Sequence, residues 1–367
     1  MPLQTLQLDQ DGLSVGSGQL YTSGNNVFVG NNLSIGGTPF SLYGTAFKNR
    51  LINGAVQIWQ KGLAFINTTT WTADRWWVNR SGGGNGITVS KAVLEDAWIK
   101  VQRNYGDNST LGFDIRQPVE YINCFDVAGD NATFSFRCFT SPEYRGAANS
   151  LVAYVYYSTV VDPNVNAATG WIVAGQATFN PTQFDSTYSL TVAVPANAKN
   201  VMVRISNSYT TINAGAEDSI YFTNFQLEKT NQASAFDYRP YSLEYMPCQR
   251  YVPAFRCSGS ATNEPIAVGQ GTTTTAATVL VPFTVPTRVI PTGIVSSGAT
   301  RLATTIPAGS VTALSTLAFS SANFNSALII ATTAAASLVA GNATLLTFGT
   351  GCTSADFLYF TGCEMGT

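Results

Sequence analysis

The run Ala132-Thr133-Phe134-Ser135-Phe136-Arg137-Cys138-Phe139-Thr140 sets Phe134 and Phe136 on either side of Ser135. A period of two sends alternate side chains to opposite faces of a strand and fits no helix. The run Val201-Met202-Val203-Arg204-Ile205-Ser206-Asn207 repeats the pattern, with Val203 and Ile205 flanking Arg204. Working outward, strand-like segments lie at 50–59, 87–91, 98–102, 150–160, 188–194 and 219–228, separated by Gly, Asn, Asp and Pro. Glu–Lys pairs at helical spacing are nearly absent. The chain therefore reads as all-β, and about eight strands of this kind predict a central jelly-roll β-sandwich of two antiparallel sheets over residues 46–245.

The flanks have a different character. Residues 1–45 carry three short units, Leu13-Ser14-Val15-Gly16, Val27-Phe28-Val29-Gly30 and Leu33-Ser34-Ile35-Gly36, each a brief strand next to a turn. Strands that short bury too little surface to hold alone, which predicts an intertwined oligomerising β arm built from several copies of the chain. Residues 246–256 read as a linker. Residues 257–367, rich in Thr, Ala, Ser and Val, predict a smaller C-terminal β-sandwich with a hairpin turn at Gly341-Asn342.

Composition excludes several functions. Charged residues make up 11% of the 367 and net charge is −2, so there is no electrostatic footprint for nucleic acid. The chain has no His, which removes Ser-His-Asp and Cys-His catalysis, His-ligated zinc and the usual general base near neutrality. The first residues read as no secretory signal, and the apolar tract at 327–340 is too short and too interrupted to span a bilayer. The expectation is synthesis in a cytoplasm, without membrane insertion. Cys124, Cys138, Cys248, Cys257, Cys352 and Cys363 form no CxxC pair. They read as buried free thiols, with no metal and no cofactor.

Four separated motifs keep a fixed order. The first is Asn49-Arg50-Leu51-Ile52-Asn53-Gly54, running on to Trp59-Gln60. Thr72-Ala73-Asp74-Arg75-Trp76 follows, then Gln226-Leu227-Glu228, and finally Arg239-Pro240 to Glu244 with Cys248-Gln249-Arg250-Tyr251. Over about residues 46–256 this order resembles a module of phage and prophage tail fibres and other virion appendages. The resemblance implies a jelly roll akin to carbohydrate-binding domains, a homotrimer, and location in the virion. Asp74, Arg75, Glu228 and Arg239 read as structural ion-pair residues, because charges set among tryptophans need partners to offset desolvation. Glu228 and Arg239 are the natural pair where the last strand leaves the sandwich.

Sugar recognition needs aromatic faces flanked by a few polar groups. Trp71, Trp77, Tyr154 and Tyr156 are the candidates, with Tyr157 on the opposite face of its strand. No catalytic residues emerge. Gly82-Gly83-Gly84-Asn85-Gly86 lacks the Lys of a phosphate loop. The combined expectation is a non-enzymatic trimeric tail fibre or receptor-binding protein. Its arm would dock on other virion proteins and its body would contact host surface glycan. A capsid head fibre or decoration protein is the alternative, and a glycan-degrading spike the second alternative.

Overall fold

The computed structural model describes residues 48–80, 86–166, 170–259, 263–306 and 311–366, together with the backbone of five strands nearer the N-terminus. Those five are Leu13–Val15, Gly18–Ser23, Asn26–Val29, Leu33–Ile35 and Thr38–Phe40. The first three pair antiparallel in order, and the last two form a separate hairpin. Met1–Lys48 with Ser234–Asp237 form one compact unit, and the rest of the chain forms a second.

The second unit begins with a jelly-roll-like sandwich of two six-stranded sheets. One sheet runs Ser186–Ala193, Asn131–Thr140, Ser219–Glu228, Ala97–Arg103, Ile87–Val93, Ala64–Ile66. The other runs Ile172–Phe179, Leu151–Ser158, Asn200–Asn207, Phe113–Val119, Trp77–Arg80, Thr70–Trp71. Alternation does what the sequence requires. Leu151, Ala153, Val155, Val201, Val203 and Ile205 enter the core, leaving Tyr154, Tyr156 and Arg204 outside. Each buried Val, Leu, Ile or Phe contributes about 1.5–3 kcal/mol.

One irregularity has a sequence cause. The Asn131–Thr140 and Ser219–Glu228 strands slip register between Ser135 and Arg137, opposite Asn224, whose φ is +50°. Asn tolerates that left-handed conformation better than most residues. The slip lets Phe222 and Phe225, three apart, both reach the core, where Phe225 lies 4.1 Å from Trp76.

The four motifs meet around one knot. Asn53, at φ +56°, accepts from Ile58 N and donates to the carbonyls of Ile58 and Asp74. The Trp76 indole donates to Asn53 O at 2.9 Å. Glu244 accepts from Asn53 N, and Gln249 donates to Gln60. Residues 246–256, expected as a linker, are not one. Tyr241–Tyr251 is a helix and Ala254–Arg256 a strand. Glu244, Cys248 and Tyr251 share the helix's buried face at spacings of four and three.

The C-terminal body also differs from the expected sandwich. Six strands close into a barrel in the order Pro265–Gly271, Ala276–Pro282, Ser326–Thr333, Val311–Ala322, Leu302–Thr305, Ala343–Phe348. Ala254–Arg256, Phe357–Thr361 and Gly293–Ser296 form a small sheet of their own. Closure leaves no free edge, a property that local alternation does not encode. Cys257 and Cys352 are joined by a disulfide across 95 residues, which corrects the reading of all six cysteines as free thiols. Cys124, Cys138, Cys248 and Cys363 are free and buried.

Candidate functional site

The outer face of the second sheet carries a row fixed by strand register. Gln176 pairs with Tyr154, Tyr154 with Arg204, Arg204 with Arg116, Arg116 with Trp77, and Trp77 with Trp71. Directly opposite residues on one face are the interacting unit of a sheet, so six residues from six strands form one line. All four sequence-predicted aromatics lie on this face, since Tyr156 stands two residues from Tyr154.

The row is held by charge. Asp114, buried on the neighbouring line, accepts from both Arg116 and Arg204, the latter at 3.3 Å, and from Asn79 Nδ2 at 3.1 Å. Arg204 also donates to the Tyr156 hydroxyl at 3.1 Å and stands 5.4 Å from the Tyr154 ring centroid. The two tyrosine rings are 5.6 Å apart and tilted by 32°. Arg204, Tyr154, Tyr156 and Ser206 are half-buried, and Gln176 and Thr178 are exposed. One carboxylate thus fixes two guanidiniums: Arg116 also donates to Val165 O at 3.2 Å, while Arg204, half-buried beside the tyrosine rings, is the one placed to meet hydroxyls.

Trp71 and Trp77 are placed differently from the tyrosines. They pack edge to face at 5.3 Å, with Val165, Met202, Tyr156 and Trp171 around them. Both are buried, so neither is an open platform. They instead wall a cavity of about 220 Å³ where the sandwich meets the C-terminal segment. Lys61 and Glu364 line it as well, with Lys61 Nζ 3.6 Å from Glu364 Oε1. Burial pulls the Lys61 pKa below that of a free lysine.

Of the charged residues of the motifs, Asp74, Arg75 and Glu228 are buried and Arg239 is half-buried. Arg75 pairs with Glu364 and donates to Pro118 O at 2.8 Å, its guanidinium 3.6 Å from the Tyr251 ring centroid. Asp74 is held by Gln60, whose backbone N donates at 2.8 Å. Burial pushes the Asp74 carboxyl up to about 6. Among the described contacts Arg239 pairs with Glu244 at 3.3 Å, and Glu228 accepts from Gln226 Nε2 at 3.0 Å. Glu244 stands in the first turn of the Tyr241–Tyr251 helix, five residues after Arg239.

The residues that sequence reasoning missed are Asp114, Arg116, Gln176, Lys61 and Glu364. Arg204 had a signal, since its neighbours alternate around it, but its partner on another strand had none. The first sheet carries a second outer cluster, with Phe139 and Tyr221 stacked at 4.4 Å and Trp98 at 4.9 Å from Phe139. Arg137 and Lys100 lie over those rings, and Arg137 is itself engaged by Asp96 and Asp185. That cluster spends its ring faces on itself. One trio of metal-competent atoms occurs among the described residues, on Cys257, Glu264 and Cys352. Its two sulfurs are bonded to each other.

No family model matches the chain, and no curated protein matches it. Among solved structures, this chain is similar to one described as "CBM4 structure and function", with 17% identity over 48% of this chain and 98% of that one, at a TM-score of 0.32. A xylan-binding domain from CBM 22 aligns at 13% identity over 47% of this chain and 97% of that one, with a TM-score of 0.27. The enzymatically active domain of bacteriophage CBA120 tailspike protein 4 aligns at 10% identity over 50% of this chain, with a TM-score of 0.31. That alignment spans only 22% of that chain.

Proposed function

We propose that this chain is a non-catalytic structural protein of a phage particle that binds surface glycan through the outer face of its second sheet. The observation that carries the glycan reading is Asp114 holding Arg116 and Arg204 in line with Tyr154 and Gln176. Sugars present hydroxyl pairs and flat C–H faces, and this face offers a fixed guanidinium, an exposed amide and two tyrosine rings side by side. The remaining parts of the reading rest on the ordered motifs and on the short N-terminal strands. They are the virion location, docking of the arm on other virion proteins, and assembly as a homotrimer.

The test is binding of the full chain to an array of bacterial surface polysaccharides, beside Tyr154→Ala and Arg204→Ala. Both side chains are half-buried on the outer face, so the fold tolerates their truncation. Retention on at least one polysaccharide, reduced about tenfold or more by each variant, is the expected result. Unchanged retention in both variants overturns the assignment of this face. Immunogold labelling of particles decides the location separately. Tails decorated and heads bare fit a fibre, and the reverse fits a capsid decoration.

A further inference from the structure

The outer surface of the C-terminal barrel carries an apolar row fixed by strand register. Leu345 pairs with Val268, Val268 with Leu280, and Leu280 with Leu328. Ile330 stands on the same face, two residues beyond Leu328. These side chains lie 36% to 60% exposed. The inside of the barrel does not need them, because Ala277, Val279, Val281, Ala327, Ile329 and Ala331 already pack there. Apolar residues thus occupy both faces of two neighbouring strands, giving the runs Val279-Leu280-Val281 and Ala327-Leu328-Ile329-Ile330-Ala331. Such continuous runs belong to strands covered on both faces. A contiguous apolar patch left facing water marks a contact surface.

Charge chooses the partner. No charged residue occurs in any strand of the barrel. Thr305 and Ser321 end the row, and Gln270 and Thr278 flank it. An apolar centre inside an uncharged polar rim is how the core of an interface is built. A partner with charges at the contact would strip them of water and find nothing opposite to pair with. The outer faces of the sandwich fail on that ground. One presents Arg116 and Arg204, the other Lys100 and Arg137. The surface of this chain that does match is the same barrel row on another copy, and like surfaces meet about a symmetry axis.

We propose that the row of Leu345, Val268, Leu280 and Leu328 is a contact between copies of this chain, each barrel laying it against the same row of a neighbour. The inference rests on the homo-oligomer reading above and assigns that reading a surface separate from the N-terminal arm. Burial of the row supplies the driving force through apolar area alone. The contact contains no ion pair to screen, so added sodium chloride leaves it in place.

Sedimentation velocity of the full chain over a concentration series reads the assembly. The wild type is expected to be an oligomer, and Leu280→Lys to raise its dissociation constant about tenfold or more. The double variant Val268→Thr, Leu280→Thr keeps residues suited to a strand and should shift assembly the same way. Circular dichroism confirms that both fold. Val93→Lys, at an exposed valine of the sandwich, leaves assembly unchanged. The contact itself is read with Leu280→Cys, since the native free thiols are buried. A short bismaleimide should link copies through position 280, and should not do so in Val93→Cys. Such a link supports the proposal even where the arm holds the copies together. An oligomer that persists in both row variants, with no link through position 280, overturns the proposal and leaves the homo-oligomer reading standing. A wild type that is monomeric at every concentration overturns both.

Discussion

Arg75 and Glu364 form a buried ion pair across 289 residues of sequence, joining the sandwich's second strand turn to the last residues of the chain. Their side chains are 1% and 3% exposed, so neither charge has water to fall back on. The pair ties the body carrying the tyrosine row to the segment that follows the barrel. Both are thus expected to unfold together, in a single transition.

Removing one partner leaves the other buried and uncompensated. Glu364→Ala is expected to cost about 3–5 kcal/mol, read as a lowered urea midpoint. The double variant Arg75→Met, Glu364→Leu should recover part of that loss, because it leaves no lone guanidinium, although Lys61 still loses its carboxylate. A double variant no more stable than Glu364→Ala would show that packing, rather than charge, is what the pair supplies.

Alternation made the sandwich legible from sequence because burial on one face imposes a period of two, as at Val201, Val203 and Ile205. The same logic placed Tyr154 and Tyr156 together and sent Tyr157 towards the core. Alternation carries no information about which strand lies beside which. Arg204 and Asp114 are 90 residues apart, and only the pairing of Asn200–Asn207 with Phe113–Val119 brings them into line. Trp71 and Trp77 look like an exposed platform in sequence because nothing local shows Glu364 and Tyr359 arriving to close them over. The barrel was missed for the same reason: closure joins Pro265–Gly271 to Ala343–Phe348, a long-range pairing with no local mark.

The disulfide predicts a thiol count. Six cysteines less the bonded Cys257 and Cys352 leave four. Burial pushes the Cys124 thiol up to about 12 and the Cys363 thiol up to about 11, and Cys138 and Cys248 well above a free thiol. None should react with Ellman's reagent in the folded protein near pH 8, four should react in denaturant alone, and all six after reduction. Replacing both Cys257 and Cys352 by Ser opens a loop of 95 residues and is expected to cost about 4.7 kcal/mol on the chain-entropy account. Six thiols reacting in denaturant without reductant would refute the bond.

Gly112 sits where the two central strands of the tyrosine face approach. A Cβ built there would lie 1.6 Å from the Asn207 carbonyl oxygen, a backbone atom that cannot swing aside. Gly112→Ala is expected to cost about 3 kcal/mol, measured by thermal or urea unfolding. Because Phe113–Val119 and Asn200–Asn207 carry Asp114 and Arg204, the same change should also weaken polysaccharide retention. Full stability in the variant would mean that the two strands are farther apart than described.

Asp74 gives the fold a pH dependence of definite sign. Its carboxyl is buried and rises from 3.8 to about 6, with desolvation the main cause and the hydrogen bonds from Gln60 opposing it. A group whose folded pKa lies above its unfolded value contributes stability that is fully present below about 3.8 and is lost as pH climbs through about 6. A shift of about two units corresponds to roughly 3 kcal/mol. Asp74→Asn removes the titration while keeping an acceptor for the Gln60 backbone N–H. It also places an amide against Gln60 Nε2, so its absolute stability will be lower than that of the wild type. The informative quantity is the difference between the two proteins across pH, in which every other titrating group cancels. The wild type's advantage over the variant should be greatest near pH 3.5 and shrink by about 3 kcal/mol towards pH 7. A difference that stays flat, or grows with pH, would mean that Asp74 is ionised without penalty in the folded protein. The knot around Asn53, Gln60 and Gln249 would then be holding a carboxylate it is arranged to stabilise.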